Sequence, residues 1–162
     1  MDTEAKLKIL LDTSIPSHLF ADDKPDWMAH TWRLWEKCKA GEYEIFVSPI
    51  FFIELNRCEE PKRGKMLDEL DTIVFTRLED SGEAMGLADD YIRNGAFAPR
   101  SINDSRHVAY AVVNGCDVIL SWNFKDIVKQ STRKGVKIVN ATSRYKEILI
   151  VSPDGFLKGG YK

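Results

Sequence analysis

A chain of 162 residues, 44% hydrophobic and 30% charged, has the composition of an ordinary globular protein and the length of one domain, residues 1–162, with a sizeable core. A formal net charge of −2 supplies no global positive field, so any nucleic-acid contact must depend on local patches. Cys38, Cys58 and Cys116 lie far apart with no CxxC or Cys/His metal spacing, and "LKILL" is too short for a membrane span or a signal-peptide core, so a cytoplasmic protein with free thiols and no membrane contact is expected.

Leu7–Leu11 reads as a buried strand, and Ser14–Phe20 as a short helix. In "DWMAHTWRLWEKCKAGE", Trp27, Met28, Thr31, Leu34, Trp35 and Cys38 recur at helical spacing, and Gly41 suits the end. Tyr43–Val47 is a second strand. Ser48 then caps a helix with Pro49 at its first position, carrying "IFFIELNRC". Another helix spans Lys62 to Leu70, and "TIVFTRL" is a third strand. Ser81 caps a helix that runs to about Asn94 and is closed by Gly95. "APRSIND" is a loop, Asp104 begins the helix "DSRHVAYAVVNG", and "DVILSW" is a fourth strand. "FKDIVKQ" and "VNATSRYKE" are helical at least in part, and "ILIVS" is a fifth strand. Strands alternating with helices predict an α/β sandwich with a mostly parallel sheet, whose ligands bind beyond the carboxyl ends of the strands.

Acids stand in apolar company along this chain. Asp12 closes the first strand, where a buried carboxylate is costly unless paired, solvated or bound to a cation. Glu54 shares a helix face with Ile50, Phe51 and Cys58, so it points to the core or a cleft beside it. Asp104 lies four residues before Val108 on the apolar stripe and faces the sheet. Asn123 sits just past the fourth strand. Each has a plain alternative. Asp12 and Asp104 can cap helices, Glu54 can sit in a partly buried ion pair, and Asn123 can close a turn. Together they suggest more, because gathered carboxylates repel one another unless a cation or proton compensates, and oxygen-rich clusters suit Mg²⁺ or Mn²⁺.

"LLDTS", "VSPIFFIEL", "NDSRHVAYAVVNGCDVILSWNFKDI" and "VNATSRYKEILIVSPDGFL" resemble the successive blocks of a PIN domain, most closely the toxin nucleases of VapBC-type toxin–antitoxin pairs. The resemblance covers Leu7 to Leu157 and is most specific over Asp104–Ile127. It implies a PIN-like three-layer sandwich with a mostly parallel sheet of about five strands flanked by helices. It also implies an acidic pocket at the strand ends. Asp12, Glu54 and Asp104 match the family's first three acids, the expected metal ligands and catalytic residues. Asn123 stands where many members carry a fourth acid, a departure from the commonest pattern. Ser14 and Ser121 match pocket hydroxyls.

The implied activity is Mg²⁺- or Mn²⁺-dependent endoribonuclease cleavage by a dimeric toxin that a small antitoxin inhibits. The amide oxygen of Asn123 can accept a hydrogen bond from water or coordinate the ion. Replacing any of the three acids by its amide is expected to leave stability equal or slightly higher without metal. Trp122 and Phe124 can stack on a base or pack the core, and Arg93, Arg100, Arg106, Lys125, Lys129, Arg133 and Lys134 are candidate phosphate contacts. The aromatic helix Trp27–Cys38 is either core or, where exposed, an anchor for a partner. A haloacid-dehalogenase-type phosphatase would need an aspartate where Ser14 stands, and a nucleotide-binding module a glycine-rich loop that "LDTSIPS" lacks. The alternative left open by Asn123 is a PIN-like RNA- or protein-binding module with little or no catalytic activity.

Overall fold

The computed structural model describes residues 5–159. In chain order these form β1 (Lys8–Leu11), α1 (Ser14–His18), α2 (Pro25–Lys39), β2 (Glu44–Val47), α3 (Pro49–Leu55), α4 (Lys62–Leu70), β3 (Phe75–Arg77) and α5 (Gly82–Arg93). A 3₁₀ turn at Pro99–Ser101 leads into α6 (Ile102–Val113), followed by β4 (Val118–Leu120), α7 (Gln130–Thr142), β5 (Leu149–Val151) and α8 (Pro153–Gly159).

All five strands are parallel, in the order β3-β2-β1-β4-β5. Alternation along each strand sends side chains to opposite faces. Ile9, Leu11, Ile45, Val47, Val118, Leu120 and Val151 pack with residues of α1, α2, α4 and α8. Leu10, Phe46, Ile119 and Ile150 pack with residues of α5, α6 and α7. Both faces are therefore covered, which is why β1, β2, β4 and β5 are almost wholly apolar, whereas the edge strand β3 is not. The α/β three-layer sandwich expected from the sequence is the observed architecture. No helix among the described residues is long and apolar enough to cross a membrane.

From β1 the chain builds outward to β2 and β3, then crosses back to lay β4 on the other side of β1. The crevice beyond the carboxyl ends of β1 and β4 is thus the topological switch point of the sheet.

Local chemistry fixes most boundaries. Ser48 Oγ accepts the Ile50 N–H at 3.2 Å ahead of Pro49, and Ser81 Oγ accepts the Ala84 N–H at 3.1 Å. Gly95, at φ 80°, closes α5 in a backbone conformation that favours glycine. Differences from the expected elements are also local. The third strand is only Phe75–Arg77, because Ile73 turns inward to the core before the edge pairing begins. Helix α6 starts at Ile102, so Asp104 stands in its first turn rather than at its beginning. "FKDIVKQ" is mostly a turn, closed by Ile127 and Val128 N–H groups donating to Asn123 O at 3.0 and 2.9 Å. Helix α7 instead runs through the basic stretch, and α8 follows β5 where no element is expected.

Gly135 lies within α7 where that helix crosses Ala96. A Cβ there would stand 2.5 Å from Ala96 Cβ and 2.7 Å from its Cα. Alanine gains about 1 kcal/mol of helix propensity over glycine. The clash is with backbone, which cannot swing aside, and overpacking of this kind costs about 1–3 kcal/mol. Gly135→Ala is expected to be net destabilising, by about 1 kcal/mol. Urea unfolding checks it, by a midpoint shifted to lower denaturant at unchanged slope.

A candidate acidic site at the switch point

The turn after β1 carries Asp12, whose N–H continues the ladder to Leu120 O at 3.2 Å. Its side chain is only 4% exposed. The carboxylate accepts the Ser14 N–H at 2.9 Å, the Ser14 hydroxyl, and the Ser121 hydroxyl at 2.7 Å. Both hydroxyls singled out in the sequence thus hold this one acid. Burial nevertheless pushes the Asp12 carboxyl above its usual range, against the opposing pull of His107 and the hydroxyls.

Glu54 reaches the same region from α3. Its Oε1 accepts the Thr13 hydroxyl at 2.8 Å and His107 Nε2–H at 2.5 Å. Burial alone would raise this carboxyl. The His107 hydrogen bond and charge, the Thr13 hydroxyl and the Arg57 charge outweigh it, so Glu54 is held below its ordinary value. His107 projects from α6 and is 1% exposed. Its Nδ1 lies 2.8 Å from Ser48 Oγ, the same oxygen that caps α3. Burial opposes a charged ring here, but Glu54 first, and then Asp12 and Asp104, raise His107 above the ordinary histidine value. As an imidazolium it donates from both nitrogens and offsets one of the surrounding negative charges.

Asp104 comes from the first turn of α6. Its carboxylate accepts no hydrogen bond from the described residues. Burial, then the charge of Asp12, with Glu54 and Asp126 adding to it, pushes this carboxyl up to about 6 despite His107. Asp104 thus feels both of the other acids across the switch point although the three come from separate elements. Asp126 is a further acid that acts on Asp104. Asn123 lies at the same edge, but its amide oxygen already accepts the Asp126 N–H at 3.0 Å, and its own N–H donates to Ser121 Oγ at 2.9 Å. Its position is that of a turn residue on the rim.

His107, Thr13 and Asp126 escape a reading of sequence alone. For His107 a signal existed: it stands three residues after Asp104 and shares its helix face. Two of the candidate phosphate contacts are engaged elsewhere. Arg93 pairs with Asp90, and Arg133 Nε–H donates to Ile150 O at 2.9 Å.

The donor chemistry suits a hard cation: carboxylate oxygens only, with Asp104 unengaged and only one oxygen of Glu54 committed to hydrogen bonds. Among the described residues no three His, Cys, Asp or Glu side chains stand close enough to cage an ion by themselves. Mg²⁺ does not need such a cage, because it usually keeps several waters and takes only one or two carboxylates.

No protein-family model matches the chain, and no curated protein matches it.

Proposed function

We propose that this chain is a Mg²⁺- or Mn²⁺-dependent endoribonuclease of the PIN type, acting in the cytoplasm as the toxin of a toxin–antitoxin pair. The observation that supports the nuclease reading is that Asp12, Glu54 and Asp104 come from three elements to the region of the switch point, where the charges of the first two add to burial in pushing Asp104 up to about 6. Crowded carboxylates of this kind call for a cation or a proton. A bound ion would polarise the phosphoryl group and lower the pKa of water beside it. Asp12, Glu54 and Asp104 would share the ion, one or two of them directly and the rest through its waters. Ser14 and Ser121 fix the Asp12 carboxylate, and Thr13 and His107 fix that of Glu54, so neither reorganises when RNA enters. In the hydrolysis, water adds to phosphorus, one P–O ester bond breaks, and the departing sugar oxygen takes up a proton. The toxin role, the antitoxin partner and the homodimer rest on the sequence resemblance.

The binding-module alternative is favoured by one observation, the absence of a closed three-ligand cage among the described residues. One assay separates the two. Purified protein is mixed with unstructured RNA and Mg²⁺ or Mn²⁺. Internal cleavage that stops with chelator and returns with Mn²⁺ is expected. RNA left intact at every metal concentration supports the binding module, and chelator-insensitive cleavage points to a different nuclease chemistry.

A further inference from the structure

Beside the acidic site lies an aromatic stack that the proposed chemistry does not use. Trp122, the residue after Ser121, is 3% exposed. It lies parallel to Trp27 of α2, with ring centroids 4.6 Å apart and planes 8° apart. Its indole N–H donates to Thr31 Oγ1 at 2.9 Å, and its backbone N–H donates to Ser14 Oγ, which in turn donates to Asp12. The stack is therefore tied to the first acid of the site through one hydroxyl.

Phe124 continues this cluster outward. It packs against Trp27 at 5.4 Å and Trp122 at 6.2 Å, and 42% of it is exposed. It directly follows Asn123, whose N–H donates to the same Ser121 Oγ that holds Asp12. Cationic charge accompanies it. Lys24 Nζ lies 4.1 Å from the Trp27 ring centroid, and no acid among the described residues pairs with it. His18, which also touches Trp27 and Trp122, is lowered from its ordinary value by burial first, and by the positive charges of Lys24 and Lys62.

Building on the ribonuclease reading, we propose that Phe124, backed by Trp27 and Trp122, is a stacking platform for an unpaired base of single-stranded RNA, and that Lys24 meets a neighbouring phosphate. A nucleotide offers one flat π-face and one negative charge. A partly exposed aromatic ring packed on Trp27, with a lysine seated over that same Trp27 and the acidic site nearby, complements both. Stacking is sequence-tolerant, so this subsite would position the strand rather than read it. Because Phe124 is held from behind by two fixed rings, little is lost in ordering it on binding.

The test measures binding apart from cleavage. The full chain carrying Asp104→Asn, expected not to cleave, is titrated with a fluorescein-labelled, unstructured oligoribonucleotide in Mg²⁺, read by anisotropy. Adding Phe124→Ala or Phe124→Leu is expected to weaken binding about tenfold, and Phe124→Trp to restore it. Leucine keeps apolar bulk without a π-face, so its loss separates stacking from simple hydrophobic contact. Lys24→Gln is expected to weaken binding and flatten the salt dependence by about 0.7 in log–log slope. Truncating Phe124 loses some packing against Trp27 and Trp122, so urea unfolding is run beside the titration and each variant is titrated where it is fully folded. Equal affinity with and without Phe124→Leu overturns the subsite and leaves the ring to another occupant such as a protein chain. Cleavage by the wild type, measured separately, would still stand in that case. Absence of any RNA binding by the parent overturns the subsite, while the ribonuclease reading stands or falls on cleavage by the wild type.

Discussion

Asp104→Asn is expected to remove RNA cleavage while making the metal-free protein more stable at pH 7. The loss of activity should be about a hundredfold or more, the scale on which a site-held ion stabilises transition-state charge. The stability gain follows from the direction of the pKa shift. An acid raised from 3.8 to about 6 binds its proton more tightly in the folded state. Its favourable contribution is complete below about pH 4 and is lost as pH rises through about 6. Above that, the folded chain holds a carboxylate it disfavours, and the near-isosteric amide relieves it. The gain is on the order of 1–2 kcal/mol at pH 7, allowing for partial solvent exposure, and should vanish near pH 4. Thermal unfolding in chelator at the two pH values checks it.

The other two acids part company with Asp104, so the expectation that all three amides leave stability equal or higher does not extend to them. Asp12 accepts the Ser14 N–H and two hydroxyls, and Asp12→Asn would turn an NH₂ toward donors. Glu54→Gln would weaken the hold on His107. Both substitutions should abolish cleavage as Asp104→Asn does, but each loses the partner of a buried donor, at about 1–3 kcal/mol.

His107→Ala is expected to cost about 3 kcal/mol, the larger of the stability losses foreseen for this site. Removing one member of a buried pair typically costs about 3–5 kcal/mol. The lower end applies because Glu54 keeps 27% exposure and can hydrate when freed. The ring's removal also strips the partner from Ser48 Oγ and leaves a void at the junction of α3 and α6. The pair's contribution has a pH window. Glu54, lowered from 4.5, supports the fold above that value and loses its contribution as pH falls through its folded pKa. His107, raised from 6.5, supports the fold below that value and loses its contribution as pH rises through its folded pKa. The difference between wild type and His107→Ala should therefore be greatest between about pH 4.5 and 6.5 and shrink on either side. Urea unfolding across that range measures it, and a difference independent of pH would mean that the ring acts by packing alone.

What the sequence determined by itself is what neighbouring residues decide. Apolar runs of strand length, alternating with helical periodicity, required a parallel sheet covered on both faces. Ser48 with Pro49, and Ser81 with Gly95, set helix ends through groups within a few residues of one another. Lys62–Leu70 came out with its bounds intact for the same reason. The oddity of Asp12 at the end of a buried strand was also legible, because burial of a strand end follows from the strand's own residues.

Tertiary structure decided how the acids are used. The order β3-β2-β1-β4-β5 brings the end of β4 beside that of β1, and so Ser121 to Asp12 across 109 positions of sequence. Local spacing could place His107 on the face of Asp104, but only the docking of α6 against α3 makes it the partner of Glu54 and Ser48. The same holds for the split between Trp122, sealed against Trp27, and Phe124, left open beside it. Helix α7 runs through a basic, glycine-containing stretch with little local helix signal because its apolar side, Val136 and Val139, finds the core, where tertiary burial outweighs weak propensity. Charge coupling and burial depend on distance in space, which the crossovers of the sheet fix and the linear order of residues does not.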